Sequence, residues 1–477
     1  MDLHVSLVGT TGLSAQIYRQ IRAAVLERRL LPGQALPSTR GLAARLEVSR
    51  NTVSMAYDHL TAEGFLTGRA GAGTYVSEYA RRSLPRRPSA PVAPLSPRPA
   101  WEALPEPLDM TAAEPRFDFR LGMPDARLFP FATWRRLVAD QLRASAVGLG
   151  AYADAAGHPG LRAAIARHLA VSRSVDAVAG DVLVTCGTQQ ALDVVARVLV
   201  DPGDVVAVED PGYPPAHRVF QSSGARLLGV PVDAEGMRVD ALPEQARLVY
   251  VTPSHQLPLG MQMSLPRRLA LLDWAERTGT VIVEDDYDSE FRYTGRPIEP
   301  LQSMDRAGLV VYVGSFSKTM LPTLRLGFCV APPSLVPALR KAKYVLDWHT
   351  AVPMQAALAE FIDAGLLARH IRRMRNVYRV RRDRIAVAME RDFADDLTPI
   401  SSVAGLHVTA WLHRGTADDA LEVVRRAHDA GVEIKALSDF AVSSMTPPGL
   451  VLGYGVIPTD RIDEGLRRLR ACVDLTA

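Results

Sequence analysis

One lysine, Lys318, is set apart in a chain that carries almost all of its positive charge on arginine. The sequence has 55 lysine and arginine residues, and only four of them are lysines. Lys318 follows an apolar run at residues 308–313 that is typical of a buried strand. A lysine ε-amine condenses with an aldehyde to give a Schiff base, whereas a guanidinium does not. The position therefore predicts a lysine kept for carbonyl chemistry at the end of a strand.

Carboxylates follow a second apolar run, at residues 281–283, and Asp285 is the central one of three. A carboxylate and a lysine at neighbouring strand ends can hold the ring nitrogen and the aldehyde of pyridoxal phosphate. The sequence therefore predicts this cofactor, with Lys318 on the aldehyde and Asp285 on the ring nitrogen. Tyr287 and His255 are candidates for the phenolate side of the ring.

Backbone and hydroxyl groups suited to a phosphate lie at two further strand ends. Residues 187–189 stand between a strand pattern and a helix pattern, where backbone N–H groups point at an anion. Polar side chains around Lys318 extend this site. The predicted phosphate-side residues are Gly187, Thr188, Gln189, Ser315, Ser317 and Arg325. Tyr213 offers a ring that can stack on a planar cofactor.

Each of these residues also has an ordinary structural interpretation when it is taken alone. A Gly-Thr pair before a helix is usually a cap, a lone tyrosine usually packs, and a lone aspartate usually caps a turn or faces solvent. Lys341, Lys343 and Lys435 are interpreted as solvated lysines. The ordered set of groups favours the cofactor over these alternatives.

Strand patterns alternate with helix patterns from Phe117 onward, which predicts an α/β fold with a mainly parallel, helix-covered sheet. The predicted strands are residues 182–185, 205–209, 248–252, 281–285, 310–313 and 326–330. A smaller C-terminal α+β domain is expected from about Pro333, with a strand at residues 405–412.

Residues 12–78 form a separate module in which three helix patterns precede a hairpin pattern. The first helix repeats apolar residues every four positions, the second opens at Ser38, and the third has Ser49 as its N-cap. Two short strands around a Gly-rich turn follow at residues 65–76. This order predicts a winged helix-turn-helix. Residues 1–90 hold 12 arginines against 6 acidic residues, so this end of the chain is expected to meet a polyanion.

The third helix is the expected recognition helix, because its N-terminal turn is where such helices meet base edges and phosphates. A glycine in the wing would let the backbone approach the minor groove. The predicted contacts to double-stranded operator DNA are Arg40, Ser49, Arg50, Asn51, Thr52, Arg69 and Gly71. The alternative is that an arginine-rich helix is merely a solvated face.

A proline-rich segment joins the two parts of the chain. Nine prolines fall between residues 85 and 115, and proline neither continues a helix nor serves a central strand. The expected organisation is a DNA-binding domain at 12–78, an extended linker at 79–116 and a cofactor-binding domain at 117–477. No apolar run reaches the roughly 20 residues of a membrane helix, and the three cysteines lack metal-ligand spacing. We expect a cytoplasmic protein with no membrane segment and no metal site.

The cofactor residues, in their order along residues 117–470, resemble the fold type I pyridoxal-phosphate enzymes of the aspartate aminotransferase superfamily. By that resemblance Lys318 is the Schiff-base lysine and Asp285 the ring-nitrogen partner. Tyr152 resembles the residue that reaches the phosphate of the partner subunit, which implies a homodimer with shared sites. Where these enzymes carry Asn before Pro-Thr-Gly, this chain has residues 254–260, which leaves the role of His255 open.

Residues 36–43, 48–53 and 64–67 resemble the GntR-type winged helix. The two halves together resemble the MocR type of bacterial transcription regulator over essentially the whole chain. One departure concerns turnover, because aminotransferases of this group bind the substrate carboxylate with arginine in a Leu-Arg-Leu-Gly pattern. Here Val451 stands at that position, which argues against ordinary amino-acid turnover.

The leading hypothesis is a DNA-binding regulator that uses pyridoxal phosphate as a bound sensor. Its effector would be the vitamin itself or an amine, and it would control vitamin B6 or amine metabolism. The alternative is a catalytically active aminotransferase with an accessory DNA-binding domain. A cofactor-free scaffold conflicts with the presence of Lys318, Asp285 and Arg325. Val451 and the winged module favour the regulator, whereas Lys318 does not discriminate between the first two hypotheses.

Overall fold

The structure is a computed structural model that describes residues 4–69, 73–78, 96–106, 114–147, 150–295, 299–443 and 446–474. Two compact units divide the chain, the first ending at Ser96 and the second beginning at Pro97. Each unit has its own hydrophobic core. The predicted linker, residues 79–116, lies largely outside the described residues.

The first unit is built from three helices and one hairpin. The helices are α1 (Leu13–Leu26), α2 (Thr39–Leu46) and α3 (Arg50–Ala62), and the antiparallel hairpin pairs β1 (Leu66–Arg69) with β2 (Gly73–Val76). Their apolar faces share one core, which includes Ile17, Ile21, Leu42, Val53 and Leu60. This is the element order that the sequence predicts for a winged helix-turn-helix.

The second unit begins with α4 (Pro99–Glu102) and β3 (Phe117–Asp118), and an eight-stranded sheet follows. Its strands are β4 (Val182–Thr185), β5 (Val205–Asp210), β6 (Arg226–Asp233), β7 (Gly236–Met237), β8 (Ala246–Val251), β9 (Val281–Asp286), β10 (Val310–Ser315) and β11 (Gly327–Val330). The strand order is β4-β11-β10-β9-β8-β5-β6-β7. The pairs among β6, β5, β8, β9 and β10 are parallel, so their carboxyl ends meet at one edge. The mainly parallel sheet is therefore confirmed.

Helices pack on this sheet in separate apolar clusters, as expected for strands that are buried on both faces. These helices are α5 (Phe131–Gln141), α7 (Pro159–Arg173), α8 (Gly187–Leu199), α9 (Pro214–Ser222), α10 (Leu265–Thr278), α11 (Leu301–Met304), α12 (Val336–Asp347) and α13 (Val352–Asp363), and the short α6 (Ala144–Val147) follows α5 in the chain. Among the described residues, no helix is both long enough and apolar enough to cross a membrane.

A smaller antiparallel sheet lies toward the C-terminus. The elements of this part are α14 (Leu366–Asp392), β12 (Leu397–Pro399), β13 (His407–Leu412), α15 (Ala417–Asp429), β14 (Val432–Glu433), β15 (Lys435–Ala436), β16 (Gly449–Gly453) and α16 (Ile462–Asp474). The strand order in the sheet is β12-β13-β16-β15. β14 pairs with β3, so Phe117 joins the core of this part of the molecule.

The boundary expected near Pro333 is wrong, because α12 and α13 belong to the large sheet. Leu339 of α12 and Phe361 of α13 pack in clusters of that sheet, whereas the small-sheet core takes its helical residues from Met374 onward. An amphipathic pattern shows that a helix covers something apolar, but it does not show which sheet it covers. Lys343 of α12, expected to be solvated, is buried with its Nζ 2.5 Å from Oδ1 of Asp347.

Candidate functional site

A cavity of about 370 Å³ lies at the carboxyl edge of the eight-stranded sheet. Because β8, β9 and β10 run parallel, the residues at their ends converge on it. Nine of the twelve residues predicted from sequence for the cofactor line this cavity: Thr188, Gln189, Tyr213, Asp285, Tyr287, Ser315, Ser317, Lys318 and Arg325. The other three predicted residues, Gly187, His255 and Tyr152, do not line the cavity.

Lys318 lies in the loop after β10, and its Nζ donates a hydrogen bond to the carbonyl oxygen of Gly122 at 2.7 Å. Gly122 has a φ of +70°, and a Cβ there would come within 2.7 Å of the same Nζ. Burial lowers the pKa of Lys318 from its ordinary value, although the carboxylates of Asp288 and Asp285 oppose that shift. A lower pKa leaves more of the amine in the neutral form that attacks a carbonyl carbon.

Asp285 is buried near the end of β9, and its two carboxylate oxygens have different surroundings. Oδ2 accepts a hydrogen bond from the Tyr250 hydroxyl at 2.8 Å, whereas Oδ1 has no hydrogen-bond partner in the described part of the chain. Burial raises the pKa of Asp285 to about 7 despite the bond from Tyr250. A protonated ring nitrogen would provide the donor that Oδ1 lacks.

A corner suited to an anion lies between β4 and the loop after β10. α8 begins at Gly187, whose φ is +75°, and a Cβ there would come within 2.8 Å of Nη2 of Arg325. The Arg325 guanidinium also donates to the carbonyl oxygen of Cys186 at 2.9 Å. Ser315 Oγ accepts a hydrogen bond from the backbone N–H of Ser317 at 3.0 Å. A helix N-terminus, a guanidinium and two hydroxyl groups form a donor set that suits a phosphate.

His255, a candidate for the phenolate side of the ring, does not line the cavity and contacts Tyr287, the other candidate. Its Nδ1 is 3.0 Å from the Tyr287 hydroxyl oxygen and 3.0 Å from Oδ1 of Asp288. An ionised carboxylate only accepts, so Nδ1 carries the proton and the Tyr287 oxygen shares it. The Tyr287 hydroxyl proton is then free to donate into the cavity. Within the segment 254–260, the residue that lines the cavity is Leu257.

Two buried polar residues on strands next to the site, Tyr250 and Glu209, were missed from sequence. Tyr250 of β8 donates to Asp285, and Glu209 of β5 accepts from the Thr252 hydroxyl at 2.5 Å. Burial raises the pKa of Glu209 to about 7. The signal that was present in the sequence is a polar side chain near the end of an otherwise apolar strand run, because such a residue needs a buried partner.

Tyr152 lies outside the cavity of its own subunit, with 76% of the residue exposed. The centroid of the Tyr152 ring is 4.2 Å from that of Trp348. The Tyr344 ring stacks on Trp348 with a centroid distance of 5.2 Å. Val345, beside them, is 83% exposed. Large exposed apolar side chains that cluster in this way are typical of a surface that another protein covers.

Val451 of β16 is fully buried in an apolar cluster with Leu259, Leu437 and Phe440. Leu121 packs against this cluster and also lines the cavity. Within the residues that the structure describes, Lys318 and Arg325 supply the only cationic side chains of the cavity wall.

The second site predicted from sequence lies on α2 and α3 of the first unit. Ser49 caps α3, since its Oγ accepts a hydrogen bond from the Thr52 backbone N–H at 3.1 Å and lies 2.8 Å from the Thr52 hydroxyl oxygen. Arg40, Arg50 and Asn51 are exposed. The cap fixes the first turn of α3, so the exposed side chains are presented from a rigid helix start.

In the wing, Arg69 is exposed and its guanidinium carbon lies 4.7 Å from the centroid of the Tyr75 ring. This contact holds the charged group at the strand end. Gly71, also predicted to approach DNA, lies outside the described residues.

A helix-turn-helix unit with exposed arginines, joined to an α/β unit whose cavity places a lysine near an aspartate, defines a DNA-binding module fused to an aminotransferase-type fold. The family model "Bacterial regulatory proteins, gntR family" matches residues 13–76, and the model "Aminotransferase class I and II" matches residues 121–446. The chain belongs to the MocR type of the gntR family, in which both parts occur in one polypeptide.

Relatives named as regulators and a solved aminotransferase structure both support this family assignment. The chain is 40% identical to the probable rhizopine catabolism regulatory protein MocR of Rhizobium meliloti, over 96% of this chain and 92% of that one. It is 30% identical to the pyridoxine biosynthesis transcriptional regulator PdxR of Corynebacterium glutamicum, over 98% and 97% of the two chains. The solved structure of LysN, the α-aminoadipate aminotransferase of Thermus thermophilus, complexed with N-(5'-phosphopyridoxyl)-L-leucine, matches with a TM-score of 0.69. That match has 32% identity and covers 75% of this chain and 92% of the other.

Class I and II aminotransferases depend on pyridoxal phosphate, and the cavity fits that cofactor. The unpartnered Oδ1 of Asp285 suits the ring nitrogen. The anion corner at Gly187 and Arg325 suits the phosphate, and Lys318 provides the amine for the carbonyl group. When bound, the cofactor would supply an electrophilic carbon that an amine can attack.

We expect the stability of the cofactor-free protein to fall as the pH rises, partly because of Asp285. Its pKa in the folded chain is raised to about 7, so the stabilisation of the protonated form is present at acid pH and is lost as the pH rises through that value. From about pH 5 to about pH 8, wild type should lose roughly a few kcal/mol more than Asp285→Asn. Chemical unfolding at several pH values measures this difference, and parallel curves for the two proteins would contradict it.

Arg50→Ala and Arg40→Ala should each weaken operator binding by about 1–3 kcal/mol if they contact bases. Affinity should also fall steeply with added salt, because phosphate-bound counterions are released. Arg19→Ala is the matched control, since it removes one exposed positive charge from α1, outside the helix-turn-helix. Electrophoretic mobility shift at several salt concentrations measures these affinities. Equal losses for all three variants would show that only net charge matters.

Proposed function

We propose that this protein is a transcription regulator whose aminotransferase-type domain uses bound pyridoxal phosphate to sense a ligand and thereby changes its affinity for operator DNA. The observation that carries this proposal is the presence, in one chain, of a winged helix-turn-helix with exposed Arg40 and Arg50 and a cavity built around Lys318 and Asp285. The names of the relatives MocR and PdxR support it.

The proposed domain boundaries are those expected from sequence, namely 12–78 for DNA binding, 79–116 for the linker and 117–477 for the cofactor domain. The family matches at residues 13–76 and 121–446 support them. A protein that binds operator DNA in a bacterium works in the cytoplasm, and we propose that location.

We also propose a homodimer in which each subunit completes the other's cofactor site. The support is the exposed cluster of Tyr152, Tyr344 and Trp348, which leaves a large apolar surface open on a single subunit. Burial of such rings between two copies would be strongly favourable. Two DNA-binding modules per dimer would suit an operator with two half-sites.

A working aminotransferase with an accessory DNA-binding domain is the alternative. The cavity keeps Lys318 and Asp285, which favours some remaining chemistry. Val451, buried among apolar side chains, disfavours turnover of α-amino acids, because a guanidinium is missing where their carboxylate would bind. Steady-state transamination with a panel of amino acids decides between the two, and sustained turnover would favour the enzyme.

Adding pyridoxal phosphate to the cofactor-free protein should change operator affinity by about 5- to 150-fold, the usual range of coupling between two sites. The cofactor can shift the DNA-binding equilibrium only if it binds the two states with different affinity. Fluorescence anisotropy with a labelled operator measures both forms. Identical isotherms would show that the cofactor is a fixed prosthetic group, and that any signal must come from a second ligand.

A further inference from the structure

The residues that fit pyridoxal phosphate are only a part of the cavity lining. Six other lining residues, which we call the distal wall, are Leu121, Met123, Leu257, Asp288, Leu406 and His407. Gly122, which accepts the hydrogen bond from Lys318 Nζ, lies between Leu121 and Met123 in the chain, so the distal wall adjoins the reactive amine. A ligand that enters the cavity to reach Lys318 would therefore meet this wall.

Asp288 gives the distal wall a negative charge. The residue is 2% exposed, and its two oxygens lie 3.0 and 3.1 Å from Nδ1 of His255. One N–H does not exhaust a carboxylate, which can accept about four hydrogen bonds. Asp288 and Lys318 line the same cavity, and among the groups that oppose the lowered pKa of Lys318, Asp288 has the largest effect.

His407 adds a second acceptor. Its Nε2 lies 2.8 Å from the carbonyl oxygen of Pro258, which can only accept, so Nε2 carries the proton and Nδ1 presents a lone pair. Burial lowers the pKa of His407 well below its ordinary value, so the ring is neutral. His255, Asp288 and His407 lie close enough together to suggest a metal site. However, both nitrogens of His255 and Nε2 of His407 are already engaged in hydrogen bonds within the described structure.

A ligand carboxylate is poorly matched to this wall. It would share one enclosed cavity with Asp288, and two like charges there repel each other. Among the described residues, Arg325 is the only arginine of the cavity wall, and it lies in the phosphate corner beside Gly187. Val451, at the position where a carboxylate-binding arginine was expected, lies in the apolar cluster behind Leu121. A buried carboxylate without a partner is costly, whereas an ammonium or hydroxyl group would find two acceptors.

We propose that the distal wall selects an amine that carries no carboxylate, with Asp288 and His407 accepting hydrogen bonds from its polar groups. This inference rests on the proposed function, since it identifies the ligand class that the cofactor site senses. It excludes α-amino acids as the effector and separates an amine effector from the vitamin itself, which needs no distal wall.

Matched ligand pairs test the proposal on the full-length protein loaded with pyridoxal phosphate. Each pair compares an amine with the same molecule carrying an α-carboxylate: ethanolamine with serine, cadaverine with lysine, and tyramine with tyrosine. Titration calorimetry, together with the shift in thermal midpoint, measures binding. In the pair that binds best, the amine should bind at least about tenfold tighter than its carboxylated partner. A tighter or equal carboxylated partner, or no binding by any of the three amines at millimolar concentration, overturns the proposal.

Asp288→Asn tests the origin of the preference, because it keeps the size of the side chain and removes its charge. The amine-to-carboxylate ratio should fall by at least about threefold in this variant. Asp273→Asn, on the exposed face of α10, is the matched control and should leave the ratio unchanged. An unchanged ratio in Asp288→Asn would remove Asp288 from the proposal and overturn it as stated.

Cofactor uptake is recorded in parallel by visible absorbance, so that two kinds of failure can be told apart. A wild-type protein that takes up no pyridoxal phosphate would contradict the proposed function. A protein that takes up the cofactor and prefers serine, lysine or tyrosine would contradict only the inference about the distal wall.

Discussion

Lys318→Ala should abolish the visible absorbance that pyridoxal phosphate acquires when it is linked to the protein, while the far-ultraviolet circular dichroism stays that of wild type. The reason is that the linkage needs a primary amine at this point of the cavity, and Nζ of Lys318 provides it beside Gly122. The variant should release the cofactor on dialysis. Its operator binding should persist without the response to added cofactor, because the helix-turn-helix belongs to a separate compact unit.

Two further variants make this test specific. Lys318→Arg keeps the positive charge but cannot condense with a carbonyl group, so it should be as colourless as the alanine variant. Lys341→Ala removes an exposed lysine of α12 and should retain the wild-type spectrum. A coloured Lys318→Arg protein after dialysis would show that another amine forms the linkage.

Asp125→Ala should lower the free energy of unfolding of the second unit by about 3–5 kcal/mol, because it leaves a buried guanidinium without its counterion. Arg381 of α14 is buried, and its Nη2 donates to Oδ2 of Asp125 at 2.5 Å. Burial alone would raise the pKa of Asp125, but hydrogen bonds from Arg127 and Arg381 outweigh it and hold the pKa below its ordinary value. Asp125 also follows the segment 121–123 of the cavity wall, so cofactor retention should weaken as well.

Urea unfolding followed by tryptophan fluorescence measures this loss without interference from the first unit. All five tryptophans lie in the second unit, at Trp101, Trp134, Trp274, Trp348 and Trp411. Asp463→Ala is the matched control. Asp463 of α16 pairs with Arg384, which lies on α14 like Arg381 but on the exposed side of that helix. That pair should contribute about 1 kcal/mol or less. Equal destabilisation by the two substitutions would refute the view that burial decides the cost.

Much of the candidate site could be predicted because parallel strands bring their carboxyl ends together. Lys318 and Asp285 are 33 positions apart in the sequence, yet each follows an apolar run, and β9 and β10 pair in parallel. Once a parallel sheet is inferred, residues at neighbouring strand ends must converge. The same reasoning brought Thr188 and Tyr213 to the cavity. Arg325, predicted because it flanks Lys318, reaches the same edge since β11, which it precedes, runs antiparallel to β10.

The role of His255 could not be predicted, because it depends on which side of a loop faces the cavity. In the loop after β8, Leu257 lines the cavity, and His255 turns to Tyr287 and Asp288. The distal wall was also beyond sequence reasoning. It joins residues near position 121 to residues near position 406, and no local pattern specifies that long-range contact.

By itself, the sequence determined the types of the two parts of this protein, since periodicity, caps and strand-end residues are local properties of the chain. It determined the winged helix-turn-helix and the mainly parallel sheet, and it predicted the shared cavity of Lys318 and Asp285. The tertiary structure alone decided what the cavity can accept. Asp288 and His407 come from different elements, and only packing brings them to the cavity that Lys318 lines, with Val451 buried behind Leu121. Selectivity depends on which charges and hydrogen-bond acceptors share one enclosed space, and that arrangement exists only after the chain has folded.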